Sequence, residues 1–499
     1  MQINVLKASA ETCQANLLVV PVFAGKAFSL KSVKGIPTDL VDRFMVSAER
    51  TGFSAKLNES VLLQLPVGRN ADAILVVGLG EKRTTNLHAV REAVGTATAI
   101  ARKHGMKSVG LVLPKELSKA PVAEAAATAA ILSDYSFDTF KKEPSTKHLD
   151  LFVIATEERA QLLAMRKAVE HAEVLCDGLT VARDLVNTPG GNMTPSLLAT
   201  AAIEIAKSSN EMVEAKILDA EACEKLGMGS YLSVAKGSGQ EPKFIHLVYK
   251  SPRPTKKTVA VIGKGVTFDS GGLSLKPADG MMTMKCDMAG AAAVLGFFAT
   301  LSRLKPRVNI HGVIAATENM PSGHSTKPGD VVKSMNGKTI EVLNTDAEGR
   351  LTLADAMTYI QREVKPDAMI DLATLTGAVM VALGEEVAGA MGNDKKLMKQ
   401  VLGAAEEAGE RTWELPLVDR YAPLLKSDVA DLRNIAMSRY GGSLTAGMFL
   451  YEFVENNTPW VHLDIAGPAF AERPLSSYLG KGGTGFGVGT LVKYIQNLE

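Results

Sequence analysis

Apolar residues fall in short runs separated by stretches of helical period along the whole chain. In the first third, Leu17–Val22, Ala73–Val77, Ser108–Leu113 and Leu149–Ala155 read as strands, with helix-period segments near Leu87–His104 and Pro121–Leu132. This alternation predicts an α/β domain with a mostly parallel sheet over residues 1–160. From Glu157 the apolar positions Leu162, Met165, Val169, Ala172, Leu175, Leu179, Ala182 and Val186 follow one helix face, ending at Asn187-Thr188-Pro189-Gly190-Gly191. A strong stop of this kind predicts a long linker helix over 161–186. Residues 187–499 alternate again. Thr258–Ile262, Val308–Ala316, Ala368–Ala373, Val387–Met391 and Val461–Ile465 read as strands; Ala289–Arg303, Leu351–Val364 and Gly377–Leu383 read as helices. The expected fold is two α/β domains joined by a long helix, the larger, C-terminal one doubly wound around a central, mostly parallel sheet. Ligands in such folds sit at the carboxyl ends of the strands.

Composition narrows the class. A chain of 499 residues is too long for one ordinary core. Its 55 basic and 54 acidic residues leave a net charge of +1, which gives no reason to expect nucleic acid or an anionic membrane as the main partner. Cys13, Cys176, Cys223 and Cys286 are far apart, without a C-x-x-C pair, against both a zinc ribbon and a disulfide framework. Met1–Lys7 lacks the pattern of a secretion signal, and no uninterrupted apolar run reaches the roughly 18 residues of a membrane span. The expected location is the cytoplasm.

The chemistry gathers in two stretches. In Val261–Gly272 a strand is expected to end and a glycine-rich turn to begin at Gly263, which places Lys264 and Asp269 at a strand's carboxyl end. Lys276 follows in a loop, and Asp287 precedes a helix that opens on the small residues Ala289–Ala293. Familiar motifs fail here. A phosphate-binding loop needs glycine at Thr258 and a hydroxyl at Gly265; a nucleophile elbow at Ser270 needs glycine at Phe268. Gly78-Leu79-Gly80 lacks the third glycine of a dinucleotide fingerprint, having Arg83 instead. The second stretch, Asn344–Leu351, sets Asp346, Glu348 and Arg350 at alternate positions just before a helix. The helix dipole favours an acid at Glu348, so an N-terminal cap would explain that residue, but not Asp346 or Arg350.

Four converging carboxylates, Asp269, Asp287, Asp346 and Glu348, would repel one another strongly. Two divalent cations would neutralise them. Lys276 and Arg350 would then leave the site positive, ready for an anionic intermediate. Lys264 could join as a ligand only as the neutral amine, at about 5 kcal/mol from its reference pKa. None of the eight histidines lies in the cluster and no H-E-x-x-H occurs. Such a donor set suits Mn²⁺ or Mg²⁺ by hardness, and zinc also accepts carboxylates. Cys286 reads as a small buried neighbour of Asp287.

These residues closely resemble the leucyl aminopeptidase family of dinuclear metallo-exopeptidases. The octapeptide Asn344–Leu351 is the family signature, and Gly263–Gly272, Lys276-Pro277, Met284–Gly290 and Asp371–Gly377 match it as well. The resemblance implies a macro-domain-like N-terminal domain. It also implies that Asp269 and Glu348 bridge two metals, that Asp346 binds the tighter one, and that Lys264 and Asp287 bind the more exchangeable one. Lys276 would polarise the scissile carbonyl, and Arg350 would hold a bicarbonate acting as general base. Met284, Thr374, Leu375, Gly377, Ala446 and Met448 fall where the family builds its substrate groove. Towards the C-terminus, Phe486 stands after Gly483-Thr484-Gly485, where the family pattern has Arg.

The implied activity is release of N-terminal, leucine-like residues from peptides by a hydroxide formed on two divalent metals (Mn²⁺ or Zn²⁺, with Mg²⁺ as a third choice). A requirement for a free α-amine on one metal makes the action exopeptidic. The resemblance further implies a homohexamer. Two other readings use the same residues or surface: a two-metal phosphoesterase, which usually adds histidines, and a DNA-binding regulatory role.

Overall fold

A computed structural model describes residues 1–25, 36, 38–83 and 86–498. The chain divides into two compact units, Met1–Cys176 with Arg473–Gly480, and Asp177–Glu472 with Lys481–Glu499. The helix Leu162–Asn187 runs across this division.

In the first unit β1 (Gln2–Lys7), β2 (Leu17–Ala24), β3 (Ser60–Gln64), β4 (Ala73–Glu81), β5 (Ser108–Val112) and β6 (Leu151–Thr156) form one sheet in the order β1-β6-β5-β2-β4-β3. Every pair is parallel except β3–β4. The central strands β2 and β4 are almost wholly buried and read as continuous apolar runs. The edge strands β1 and β3 bury alternate residues only, Ile3 and Val5 in β1 and Val61 and Leu63 in β3. The helix Leu87–Lys103 begins where the Asn86 side chain accepts from the Ala89 amide at 3.1 Å.

The second unit contributes β7 (Val213–Leu218), β8 (Lys243–Tyr249), β9 (Thr258–Asp269), β10 (Asn309–Asn319), β11 (Asp330–Lys333), β12 (Thr339–Val342), β13 (Ala368–Ala373), β14 (Ala388–Gly392), β15 (Thr412–Glu414), β16 (Leu432–Arg433) and β17 (Trp460–Asp464). Its main sheet has the order β15-β14-β17-β13-β9-β10-β8-β7, and β11-β12-β16 form a small side sheet. The inner strands β17, β13, β9 and β10 are mutually parallel; β14 pairs antiparallel with β17, and β8 with β10. Their carboxyl ends therefore lie on one edge, which is where the candidate centre is built.

One expectation fails. The strand expected to stop at Ile262 continues as β9 to Asp269, so Lys264 is an interior strand residue. Gly263 belongs to no turn. A Cβ there would lie 2.6 Å from the Ala291 Cα, so its bare backbone lets the helix Ala289–Leu304 press against the strand. The actual turn is Gly271-Gly272, with φ of +86° and +64°, a region that side chains other than glycine's rarely adopt. The stretch Ala278–Leu304 is long and apolar enough by composition to cross a membrane, but it is mostly buried within its unit, as the core helix over β9.

Candidate metal centre

Four segments supply the site. Lys264 and Asp269 come from β9, Lys276 from the loop after the Gly271-Gly272 turn, and Asp287 from the 3₁₀ turn Met284–Met288. Asp346 and Glu348 come from the loop between β12 and the helix Gly349–Val364. The expected convergence is present. Lys264 Nζ lies 2.7 Å from Asp287 Oδ1 and 2.8 Å from Glu348 Oε1. Lys276 Nζ lies 2.8 Å from Asp269 Oδ2 and 2.6 Å from Asp346 Oδ1. Carboxylate oxygens of Asp269, Asp346 and Glu348 all fall within 4.8 Å of one another.

Glu348 occupies the N-cap position of its helix yet makes no side-chain capping bond. Its carboxylate turns to Lys264 instead, so a local cap does not account for it. The preceding loop is shaped by its own polar groups: the Asp346 amide donates to Asn344 Oδ1 at 2.8 Å, and the Thr345 hydroxyl donates to the Gly271 carbonyl at 2.7 Å.

Lys264, Asp269, Asp287 and Glu348 are each under 5% exposed, and this burial controls the electrostatics. It pushes Asp287 well above the usual carboxylate range, and the neighbouring Glu348 and Asp269 add to the rise against Lys264. Glu348 is raised by burial and by Asp269. Asp346 is raised by burial, partly offset by its bond from Lys276. Burial alone would lower both lysines. For Lys264, Asp287, Glu348 and Asp269 outweigh it, and for Lys276, Asp269 and Asp346 do, so both ammonium groups are held above their ordinary value. Two lysines are thus the counter-charges of four crowded acids. Asp287 Oδ2 and Glu348 Oε2 remain buried with no hydrogen-bond partner among the described residues. Orphaned acceptors of this kind are costly and are what a cation would satisfy, so the donor set fits divalent metal ions.

Arg350 lies on the first turn of the same helix, buried, with Nη1 donating to the Asn434 carbonyl at 2.7 Å, while Nε has no partner among the described residues. Burial lowers its pKa to about 10. The remaining expected residues differ in their surroundings. Thr374 donates its hydroxyl to Asp287 Oδ1 at 2.8 Å and accepts Lys264 at its carbonyl at 3.0 Å. Leu375 and Met284 are half-buried and Gly377 is exposed. Ala446 and Met448, 0% and 3% exposed, are enclosed in the helix Gly442–Tyr451, with Met448 in the core cluster against which Leu375 packs. Cys286 is buried, its thiol pushed up to about 12 chiefly by desolvation, in keeping with an unreactive neighbour.

Two buried asparagines went unnoticed in the sequence. Asn319, at the end of β10, donates to Asp269 Oδ1 at 2.8 Å and to the Thr345 carbonyl at 2.9 Å. Asn434 donates to the Asn344 carbonyl at 2.6 Å and accepts the Leu343 amide at 2.9 Å. For Asn319 the only signal was its place at a strand's carboxyl end; for Asn434 there was none.

The chain matches the cytosol aminopeptidase family twice, its catalytic domain over residues 180–492 and its N-terminal domain over residues 19–144. It is 45% identical over 452 residues to a probable cytosol aminopeptidase of Thermosynechococcus vestitus, covering 90% of this chain and 89% of that protein. It is 39% identical over 503 residues to that of Aquifex aeolicus, covering 100% and 99%. Among solved structures, a tomato leucine aminopeptidase mutant superposes with a TM-score of 0.90 at 35% identity, covering 100% of this chain and 96% of that one. A bottromycin maturation enzyme in complex with Mn gives 0.85 at 33% identity, covering 97% and 99%. With both domains matched in order and the acidic centre assembled, the chain belongs to the cytosol aminopeptidase family and is a metal-dependent aminopeptidase.

Proposed function

We propose that the protein removes N-terminal residues, leucine-like ones preferentially, from peptides, using two divalent cations held by Lys264, Asp269, Asp287, Asp346 and Glu348. The observation that carries this reading is the convergence of these side chains with two buried carboxylate oxygens left unpartnered. Asp269 and Glu348 would serve both cations, Asp346 one, and Lys264 with Asp287 the other. Mn²⁺ and Zn²⁺ are the first candidates and Mg²⁺ the third, by donor chemistry; the Mn in the bottromycin maturation enzyme supports the first. When bound, the cations would supply Lewis acidity and a nucleophilic water of lowered pKa.

The chain's own residues do the rest. Lys276, a cation at the edge of the cluster, steadies negative charge growing on the substrate carbonyl oxygen. Arg350, with a buried N–H left to donate, would hold a bicarbonate, which would supply a general base there. Thr374 fixes Asp287 and Lys264 together. Leu375, Met284 and Gly377, backed by Ala446 and Met448, bound an apolar groove for the first side chain. Such a groove separates residues differing by one methylene by only about 1–3 kcal/mol, so specificity is broad.

Exhaustive chelation should abolish hydrolysis of leucine p-nitroanilide, and Mn²⁺ or Zn²⁺ should restore it. Full activity in the metal-free protein would exclude this reading. Family membership and the absence of histidine from the acid cluster give the phosphoesterase alternative no support; p-nitrophenyl phosphate in the same assay checks it. Nucleic-acid binding likewise has no feature of charge in its favour, and a salt-dependent gel shift would detect it. A homohexamer in the cytoplasm completes the proposal. The relatives' name supports the location. Analytical ultracentrifugation measures the assembly.

A further inference from the structure

Asn319 stands opposite Asp269 only because of an irregularity. β10 and β9 pair in parallel register up to Thr317 and Val266, and the register then shifts, so that Glu318 meets Phe268 and Asn319 meets Asp269. Without that bulge Asn319 would be aligned with Phe268. Bulges re-aim side chains next to functional sites, and this one sets an amide against an acid of the centre.

Asn319 is 5% exposed and its side-chain donors are fully used. Nδ2 donates to Asp269 Oδ1 at 2.8 Å and to the Thr345 carbonyl at 2.9 Å. Both partners are acceptors, so only the amide nitrogen suits them. The Gly271 amide also donates to Asp269 Oδ1, at 2.8 Å. Two donors therefore occupy Oδ1, and Oδ2, which faces Lys276, is the oxygen left free to ligate. Through Thr345 the same amide ties down the loop that carries Asp346. The backbone carbonyl of Asn319 anchors the turn by accepting the Ser270 hydroxyl at 2.7 Å and amide at 3.0 Å. Gly272 leaves the room required: a Cβ there would lie 2.7 Å from Asn319 Oδ1.

We infer that Asn319 is a positioning residue of the metal centre, holding Asp269 to a single ligating oxygen and locking the Asp346 loop to β9 before any cation binds. The inference rests on the two-cation reading. Partners outside the ligand set change metal affinity by about 10–100-fold when removed. Mn²⁺ titrated calorimetrically into chelated protein should therefore bind Asn319→Ala about 10–100-fold more weakly than the unaltered chain. Asn319→Asp, which sets an acceptor against Asp269 Oδ1, should be at least as weak. His246→Gln, remote from the site, controls for lost stability and should keep the affinity. Equal Mn²⁺ affinity in the Asn319 variants and the unaltered chain overturns the inference. Failure of the unaltered chain to bind Mn²⁺ overturns the metal reading instead. If Asn319→Ala does not fold, Asn319→Ser gives the same comparison with one hydroxyl donor retained.

Discussion

Two buried acidic networks lie on neighbouring strands of the same sheet and are built on opposite terms. In the first, Asp371 of β13 has both oxygens occupied, by Trp460 Nε1 and by His462 Nδ1, each at 2.6 Å. Burial works against a charged imidazole there, but Asp371 outweighs it and holds His462 above its ordinary pKa. One acid meets two donors, and the carboxylate is satisfied. In the second, four acids share two lysines and leave carboxylate oxygens unmet. A network whose acid is satisfied stabilises the fold. One that leaves acceptors open is stable only because the surrounding strands and helix enforce it, and it holds free energy for a ligand. Asp371 lies in a stretch that resembles the family motif, yet its partners mark it as a structural anchor.

The comparison is broken most strongly by removing the anchor. Asp371→Ala leaves a buried indole N–H and a buried imidazole without their acid, and should cost about 3–5 kcal/mol in a urea titration. Lys276→Ala should lower turnover by about 10²–10³-fold while metal analysis still finds the cations bound; loss of both would show Lys276 to be part of the binding set. A third test uses the histidine pair on β8 and β10. His246 Nε2 lies 2.9 Å from His311 Nδ1, and burial first, then His311 and Lys216, lower His246 from 6.5 to about 4. Between those values the unfolded chain takes up a proton that the native state refuses. Stability is therefore full above pH 6.5 and falls as the pH drops towards 4, by at most about 3 kcal/mol. His246→Gln should flatten that part of the stability curve. The smallest effect is expected at the open network: in metal-free protein Glu348→Gln removes one of several repelling charges and should change stability by less than about 1 kcal/mol, although it should weaken Mn²⁺ binding. A loss as large as that of Asp371→Ala would mean the two networks are alike after all.

Much of the fold was legible because the inner strands, buried on both faces, are continuous apolar runs; β13, Ala368–Ala373, matches its expected limits residue for residue. The edge strands β1 and β7 were not legible, because outward polar residues, Asn4 in β1 and Glu214 and Lys216 in β7, break the run. The misjudged end of β9 has a different cause. Gly263 and Gly265 look like turn residues in sequence, but their lack of a side chain serves close packing, against Ala291 and against Ile314, which involves residues distant along the chain.

The sequence by itself determined which acids, lysines and arginine gather and in what charge ratio, because these residue types have few other uses together. It also determined the alternation of strands and helices, and with it the edge of the sheet where they meet. Only the tertiary structure decided that Lys264 lies inside a strand facing Asp287 and Glu348, that Glu348 is not a helix cap, and that Asn319 and Asn434 hold the signature loop. Those facts depend on register, on a bulge at Thr267 of β9 and on backbones pressed together without side chains. Each is set by contacts between segments tens of residues apart, which local propensity and composition do not encode.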